Sequence, residues 1–481
     1  MTNGPGPWGP VADGGRRARR VRRILGAVGV LGLVAMVGLA TTGYLLYRQA
    51  DESVTQVPVD GLTDADEGDE DSSGAGASDA KATDARNFLM VGSDARTDTE
   101  DADGVATGDV EGQRSDAIMY VSMSRDRDAI SVLSLPRDLL IERDGRHLRL
   151  GDTFMDGPDE LVATIQEEYG LPVHHYAKVT FGGFIDAVDT LGGVELCLED
   201  DLVDRDAGAD LDAGCAHRSP EDALAFVRSR QGDRADLERI ERQQRFIRAA
   251  LEELTDRRML GNVPRLFSLV EDVAGHVTTD DRLSLREMLG LADEVRGFVD
   301  EDLPMTSVPA YPEVVDGRDV LVPYGPGARA TFEELRATGT VSDRGTREER
   351  EQTSVAIWSR HREEGMATIA STLLFGGFVD RQSAGPGPRD LDVGSTTTVF
   401  TGPGERDAAE RVAALLGAPV RQLPADVDLP DGADTVVAVG RDATDSLDSG
   451  GRLPAPDESL ETQRPSPDDS GPEPGSPESA W

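Results

Sequence analysis

The stretch IMYVSMSRDRDAISVLSLPRD, residues 118–138, decides the fold. Two runs rich in apolar and β-branched residues, 118–123 and 130–135, flank a short polar segment, 124–129. That pattern predicts an antiparallel hairpin. A third run, 87–92, precedes it across a long acidic loop, 97–113. Helical spacing follows at 158–169 and 181–191, and a long amphipathic helix is expected over 236–254. Strands interleaved with helices point to an α/β or α+β sandwich; the expectation is the α/β form, an α-β-α sandwich around a central mixed sheet.

The charged residues around these strands point to a site. Asp94 ends the first strand, Arg114 and Asp116 open the second, and Arg137 and Asp138 follow the third. If the strands are neighbours running up, down and up, all five meet at one sheet edge. Two carboxylates there suit a hard cation such as Mg²⁺. The arginines suit phosphate, which a planar guanidinium binds bidentately. Asp138 stands either as a general base or as the group that orients Arg137. A second cluster comprises Arg228 and Arg230, which share a face if that segment is extended. It continues with Asp236, Arg239, Arg242, Gln243 and Gln244 on the long helix, where Arg239 and Gln243 are i and i+4.

Upstream, residues 24–47 carry no charge. At about 1.5 Å per residue a helix of this length crosses the roughly 30 Å hydrocarbon core with some tilt. Arg16, Arg17, Arg19, Arg20, Arg22 and Arg23 precede it, and Asp51 and Glu52 follow. The positive-inside rule places residues 1–23 in the cytoplasm and everything after the helix outside, as a single-pass cell-membrane protein. A cleaved signal peptide is the competing reading, but its apolar core is typically shorter, about 7–15 residues. Residues 48–85 read as an acidic extracellular linker. A first globular domain is expected over 86–335 and a second, small α/β domain over 353–442, after a polar stretch at 342–352. The tail, 443–481, is acidic and Pro-rich and reads as disordered.

The whole chain has 481 residues and a formal net charge of −42, which argues against general nucleic-acid binding, because phosphate backbones require a basic surface. Lys81 and Lys178 are the only lysines, so arginine carries nearly all positive charge. That bias suits a GC-rich genome.

The ordered motifs resemble the LytR-CpsA-Psr family. They are Gly-Ser-Asp-Ala-Arg at 92–96, Arg-Ser-Asp at 114–116 and Ser-Leu-Pro-Arg-Asp at 134–138. They continue with Leu-Gly-Gly-Val at 191–194, Ala-Leu-Ala-Phe-Val-Arg-Ser-Arg at 223–230 and Asp-Leu-Glu-Arg-Ile-Glu-Arg-Gln-Gln at 236–244. The resemblance implies a phosphotransferase. Such enzymes move a glycopolymer from a polyprenyl-pyrophosphate carrier to peptidoglycan as a phosphodiester, typically teichoic acid, capsule or arabinogalactan. It also implies Mg²⁺ (or Mn²⁺) at Asp94 and Asp116. It further implies pyrophosphate contacts from Arg114, Arg137, Arg228, Arg230, Arg239 and Gln243, of which Arg114, Arg137 and Arg239, with Asp138, would serve the chemistry. Where many members have a Lys-Ile-Asn-His-Ala-Tyr-like stretch, this chain has Arg149 through Phe154, with Arg149 in the lysine's place.

The lipid would need an apolar cavity, and Phe181, Phe184, Ile185, Val188 and Leu191 form an apolar set at helical spacing. The alternative is that this set is ordinary core. Cys197 and Cys215, the only cysteines, would pair in an oxidising compartment. Residues 353–442 resemble the LytR C-terminal domain of many actinobacterial members, although Ile357-Trp358-Ser359 stands where an Asn-Gly motif is usual. A wall-binding or protein-partner role is the expectation for it. Two rival readings of the whole are a polyprenyl-pyrophosphate hydrolase, with water as acceptor, and a non-catalytic wall-binding or regulatory anchor.

Overall fold

In the computed structural model, the described residues are 54–64, 85–93, 115–124, 129–143, 145–231, 235–255, 275–284, 287, 303–360, 363–388, 395–402 and 404–445. The expected membrane helix, the cytoplasmic segment and nearly all of the acidic tail lie outside them. Among the described residues no helix is long and apolar enough to cross a membrane.

Among the described residues, fifteen strands precede residue 325. They are β1 (Thr55–Val57), β2 (Arg86–Ser93), β3 (Ser115–Met123), β4 (Ile130–Ser134), β5 (Leu140–Arg143), β6 (Arg146–Arg149), β7 (His175–Thr180) and β8 (Val194–Leu198). Then come β9 (Leu202–Asp204), β10 (Ala209–Leu211), β11 (Gly214–Arg218), β12 (Val277–Asp280), β13 (Met305–Ser307), β14 (Ala310–Val315) and β15 (Arg318–Pro323). The main helices are α1 (Pro158–Tyr169), α2 (Phe181–Leu191), α3 (Pro220–Arg228), α4 (Ala235–Thr255) and α5 (Gly325–Thr338). Seven strands form one mixed sheet in the order β1-β12-β7-β2-β3-β4-β13. β2, β3 and β4 are antiparallel neighbours, as the hairpin reading requires.

Side chains alternate between faces along a strand, and the two faces of this sheet do different jobs. Leu89, Val91, Ile118, Tyr120 and Leu133 enter a dense core with Leu161, Val162 and Ile165 of α1 and Phe332 and Leu335 of α5. Met90, Gly92, Ala117 and Met119 line a cavity instead, which α2, α3 and α4 also enclose. A separate small core joins Val188 of α2, Leu196 of β8 and Phe226 of α3. The Leu-Gly-Gly-Val motif turns α2 into β8: Gly192 and Gly193 have φ of 84° and 98°. A Cβ on Gly193 would sit 2.7 Å from the Arg218 carbonyl oxygen, so only glycine fits.

Three expectations are corrected. The supposed linker 48–85 contains structure: β1 pairs in parallel with β12, and Val54, Val59 and Leu62 are buried. Averaging composition over the whole segment hid this short apolar pattern. The stretch 342–352 is no spacer either. Arg344 is buried, its Nη1 donating to the Ser307 carbonyl (2.6 Å) and its Nη2 to Thr331 Oγ1 (2.9 Å). Thr346 and Glu349 then form a capping box that starts α6 (Arg347–Gln352).

The third correction lies in the C-terminal unit. It contains β16 (Val355–Trp358), α7 (Glu363–Phe375), β17 (Arg381–Ser383), β18 (Thr398–Thr401), α8 (Arg406–Leu416), β19 (Val420–Gln422) and β20 (Thr435–Ala438). Its sheet runs β17-β16-β20-β18-β19. In sequence, residues 376–380 (Gly-Gly-Phe-Val-Asp) read as a strand of this small α/β domain, but Gly376 and Gly377 (φ 94°) end α7 there and the strand begins at Arg381. The two units share one apolar cluster: Leu140, Tyr311, Val320, Val322 and Tyr324 pack with Val355, Ile357, Ile369, Leu373 and Leu415.

Cys197 of β8 and Cys215 of β11 face each other across the antiparallel ladder and form a disulfide. Their sequence separation is 18. Closing a loop of that size restricts the unfolded chain by about 3 kcal/mol. Replacing both cysteines with serine is expected to lower the thermal midpoint, and a melting curve that does not move rejects the estimate.

Candidate functional site

The cavity between the sheet and α2–α4 measures about 850 Å³. Its wall is largely apolar: Met90, Met119, Val179, Phe181, Phe184, Leu224, Val227, Phe246 and Ile247 line it. Gly92 and Ala117, opposite each other on β2 and β3, keep the floor low. Phe184 of α2 and Phe246 of α4 meet with ring centroids 4.6 Å apart. Met90 and Val203 are exposed large apolar residues on the lining, so the cavity opens to solvent.

The polar part of the lining gathers residues from four places in the chain. Arg137 follows β4, Arg228 ends α3, Arg230 follows it, and Arg239 and Gln243 lie one turn apart on α4. Two separate sequence clusters thus meet at one cavity. The fold supplies the reason: α4 crosses the same sheet face as the end of β4. Gln244 ties it there, donating to Ser134 Oγ at 3.0 Å.

Arg239 is the most deeply placed of these cations, with a side chain 5% exposed. Its Nη2 lies 3.1 Å from Asp236 Oδ1. Its Nε and Nη1 are buried with no hydrogen-bond partner among the described residues. Burial pushes its pKa down to about 10, and the neighbouring positive charges of Arg230 and Arg137 add to the shift, against the carboxylates Asp236 and Asp138. A buried guanidinium with two idle donors costs free energy unless an anion answers it. Arg228 sits over the Phe181 ring, 5.0 Å from its centroid, a cation–π contact between two residues of the lining.

Asp138 is engaged through both oxygens. Oδ2 lies 3.4 Å from Arg137 Nε and Oδ1 lies 3.1 Å from Arg149 Nη1. This is the geometry of an orienting group. Arg149 in turn donates from Nη2 to the Asp319 carbonyl at 2.6 Å, so the β14–β15 hairpin backs the pair.

The remaining expected residues are placed as follows. Asp94 and Arg114 lie outside the described residues. Asp116 lies on β3. The pairing runs from Gly92↔Ala117 to Ser93↔Ser115 and skips Asp116, which is the extra residue of a β-bulge. By donor chemistry alone, a pair of carboxylates such as Asp94 and Asp116 suits a hard cation. Among the described residues no group of three or more His, Cys, Asp and Glu gathers to hold a metal. Arg228 is helical, not extended, because α3 runs through it. Phe181 and Phe184 line the cavity, whereas Val188 and Leu191 do not: both pack into the small core behind α2. Ile185 is not among the lining residues either.

Sequence reasoning missed Asp204, Arg205 and Gln231, which also line the cavity. Nothing near Asp204 in sequence signals a role, since Ser229 and Arg230, the residues of the turn that it holds, lie 25 and 26 residues away.

A model of the LytR_cpsA_psr family matches residues 53–337. A probable cell wall biosynthesis protein LcpB of Corynebacterium glutamicum is 33% identical over 256 residues, covering 52% of this chain and 61% of that protein. A polyisoprenyl-teichoic acid–peptidoglycan teichoic acid transferase TagU of Oceanobacillus iheyensis is 29% identical over 209 residues, covering 42% and 60%. The chain thus spans about three-fifths of the length of these two curated relatives. Among solved structures, a LytR-Csp2A-Psr enzyme from Actinomyces oris is 21% identical, covers 59% of this chain and 96% of its own, and has a TM-score of 0.45.

Proposed function

Because this chain belongs to the LytR_cpsA_psr family, we propose that it is a membrane-anchored phosphotransferase of cell-wall assembly. It takes a glycopolymer from a polyprenyl-pyrophosphate carrier and joins it to peptidoglycan through a phosphodiester. The single observation that supports this most is the cavity: apolar walls that suit a prenyl chain, with Arg137, Arg228, Arg230, Arg239 and Gln243 on the same lining. Those side chains suit the two phosphates of the carrier.

In this reading a sugar hydroxyl of peptidoglycan attacks the phosphorus next to the glycan. A phosphorus–oxygen bond forms to peptidoglycan, the bond to polyprenyl phosphate breaks, and the hydroxyl proton passes to solvent. Arg239 and Arg137 offset the charge that builds on the phosphoryl oxygens, while Asp138 keeps Arg137 aimed. Asp94 and Asp116 would hold Mg²⁺, which supplies further charge neutralisation when bound. Residues 24–47 would anchor the chain, with the cavity outside the cell. The bias towards arginine and the C-terminal unit favour an actinobacterial wall polymer, arabinogalactan or a teichoic-type polymer.

The test incubates the full chain with a short glycan on polyprenyl pyrophosphate and with peptidoglycan fragments, with and without Mg²⁺. Covalent glycan on peptidoglycan is expected. Free glycan phosphate as the only product would replace the transferase with a hydrolase. Tight lipid binding without turnover would leave a binding anchor.

A further inference from the structure

The turn after α3, residues 229–231, carries Arg230 and follows directly on Arg228, yet it has no regular secondary structure of its own. It is held from two sides. From β9, the Asp204 carboxylate accepts from Ser229 Oγ at 2.9 Å and from the Arg230 backbone N–H at 2.8 Å, both through Oδ2. Its Oδ1 accepts from the N–H groups of Asp206 (3.0 Å) and Ala207 (3.2 Å). From α4, Arg242 Nη2 donates to the Ser229 carbonyl at 2.7 Å. Gln231 closes the arrangement, its Oε1 accepting from the Val203 N–H at 2.9 Å. Ser229 is fully buried between the two holders, and β9 lies inside the segment that the Cys197–Cys215 disulfide closes.

We propose that Asp204 is a positioning residue for anion recognition: it fixes the 229–231 turn so that the guanidinium groups of Arg228 and Arg230 meet the pyrophosphate of the ligand. The inference rests on reading the cavity as a prenyl-pyrophosphate site, and it extends that reading to a residue which touches no phosphate itself. Four donors converge on one carboxylate. Burial raises its pKa, but the hydrogen bonds from Arg230, Ala207, Ser229 and Asp206 outweigh that, and the net direction is down. Asp204 therefore stays ionised at neutral pH, the form that accepts all four. Alanine would leave the Ser229 hydroxyl and the Arg230 N–H without this acceptor and loosen the turn on the β9 side, with the bonds of Arg242 and Gln231 still holding it. Asparagine keeps one acceptor oxygen but turns an NH₂ group towards donors.

The experiment compares Asp204→Ala and Asp204→Asn with the natural chain, full length in detergent. Affinity is measured for farnesyl pyrophosphate and for farnesol, which has the same chain but no phosphate. The alanine variant is expected to weaken pyrophosphate binding by about tenfold or more, and the asparagine variant by less. Farnesol binding stays unchanged in both, because the apolar wall is untouched. A role confined to general folding would lower both affinities together, and that result overturns the proposal. So does unchanged pyrophosphate affinity in the variants. If the natural chain itself does not prefer the pyrophosphate over farnesol, the substrate reading fails first and takes this inference with it. Should the alanine variant not fold, the asparagine variant decides the question by the same two affinities.

Discussion

Arg239→Ala is expected to cut transfer, and affinity for a polyprenyl-pyrophosphate ligand, by about 10²–10³-fold, while leaving the fold at least as stable. The first half follows from where the guanidinium is. It is 5% exposed, it lines the cavity, and its Nε and Nη1 have no partner among the described residues. Removing a buried cation that would make charge-assisted bonds to an anion typically costs 2–5 kcal/mol of binding, roughly 30- to several-thousandfold. Lysine is not expected to rescue, since a compact ammonium cannot offer the same planar fork.

The second half follows from the sign of the pKa shift. Burial, with Arg230 and Arg137 beside it, holds Arg239 at about 10, below its ordinary value. A base whose folded pKa is depressed makes the folded state less stable wherever it is charged in both states. That cost is fully present below about pH 10 and is relieved only as pH rises from there towards the ordinary arginine value. At neutral pH the substitution therefore removes an unfavourable charge. Thermal melting and ligand titration of the same variant check both halves. A variant that melts far lower would mean that Arg239 is structural. A variant that binds and transfers normally would remove Arg239 from the site. Ligand affinity should also fall as pH rises through about 10, where Arg239 loses its proton.

Ending the chain after Gly339 is expected to destroy cooperative folding of what remains. The C-terminal unit reads in sequence as a separate module that could be removed. The structure instead buries Tyr311, Val320, Val322 and Tyr324, all at 6% exposure or less, in a cluster shared with β16, α7 and α8. At about 1.5–3 kcal/mol for each large apolar side chain, exposing these four costs roughly 6–12 kcal/mol. That is comparable to the whole stability of a domain, about 5–15 kcal/mol. The loss reaches the site along a short route, because the β14–β15 hairpin carries the Asp319 carbonyl that accepts from Arg149, and Arg149 holds Asp138. A second route is ionic. Arg350 of α6 meets Glu241 at 2.6 Å, and Glu241 stands on α4 between Arg239 and Gln243. Differential scanning calorimetry of the full chain should show one transition for both units. A truncated chain that stays soluble, melts sharply at the original temperature and still binds the prenyl pyrophosphate would establish two independent domains.

The sequence alone determined the elements whose pattern is local. The β3–β4 hairpin was legible because two apolar runs flank a polar turn, and α1 and α2 because their spacing is regular. It also brought together the residue types of the site, since the motifs that carry Arg137, Arg228, Arg230, Arg239 and Gln243 are contiguous and ordered. The tertiary structure decided everything that depends on which surfaces meet. Phe181 and Val188 look alike on the sequence of α2, yet one lines the cavity and the other packs behind the helix. β1 was lost in an acidic stretch because its pairing partner, β12, is more than 200 residues away. Asp204 carries no signal of its own, because hydrogen bonds to residues 229 and 230 exist only once β9 lies against the end of α3. Periodicity reports how a segment buries itself against an unspecified neighbour. It does not say which neighbour, and a cavity, a shared core and a clamped turn are properties of neighbours.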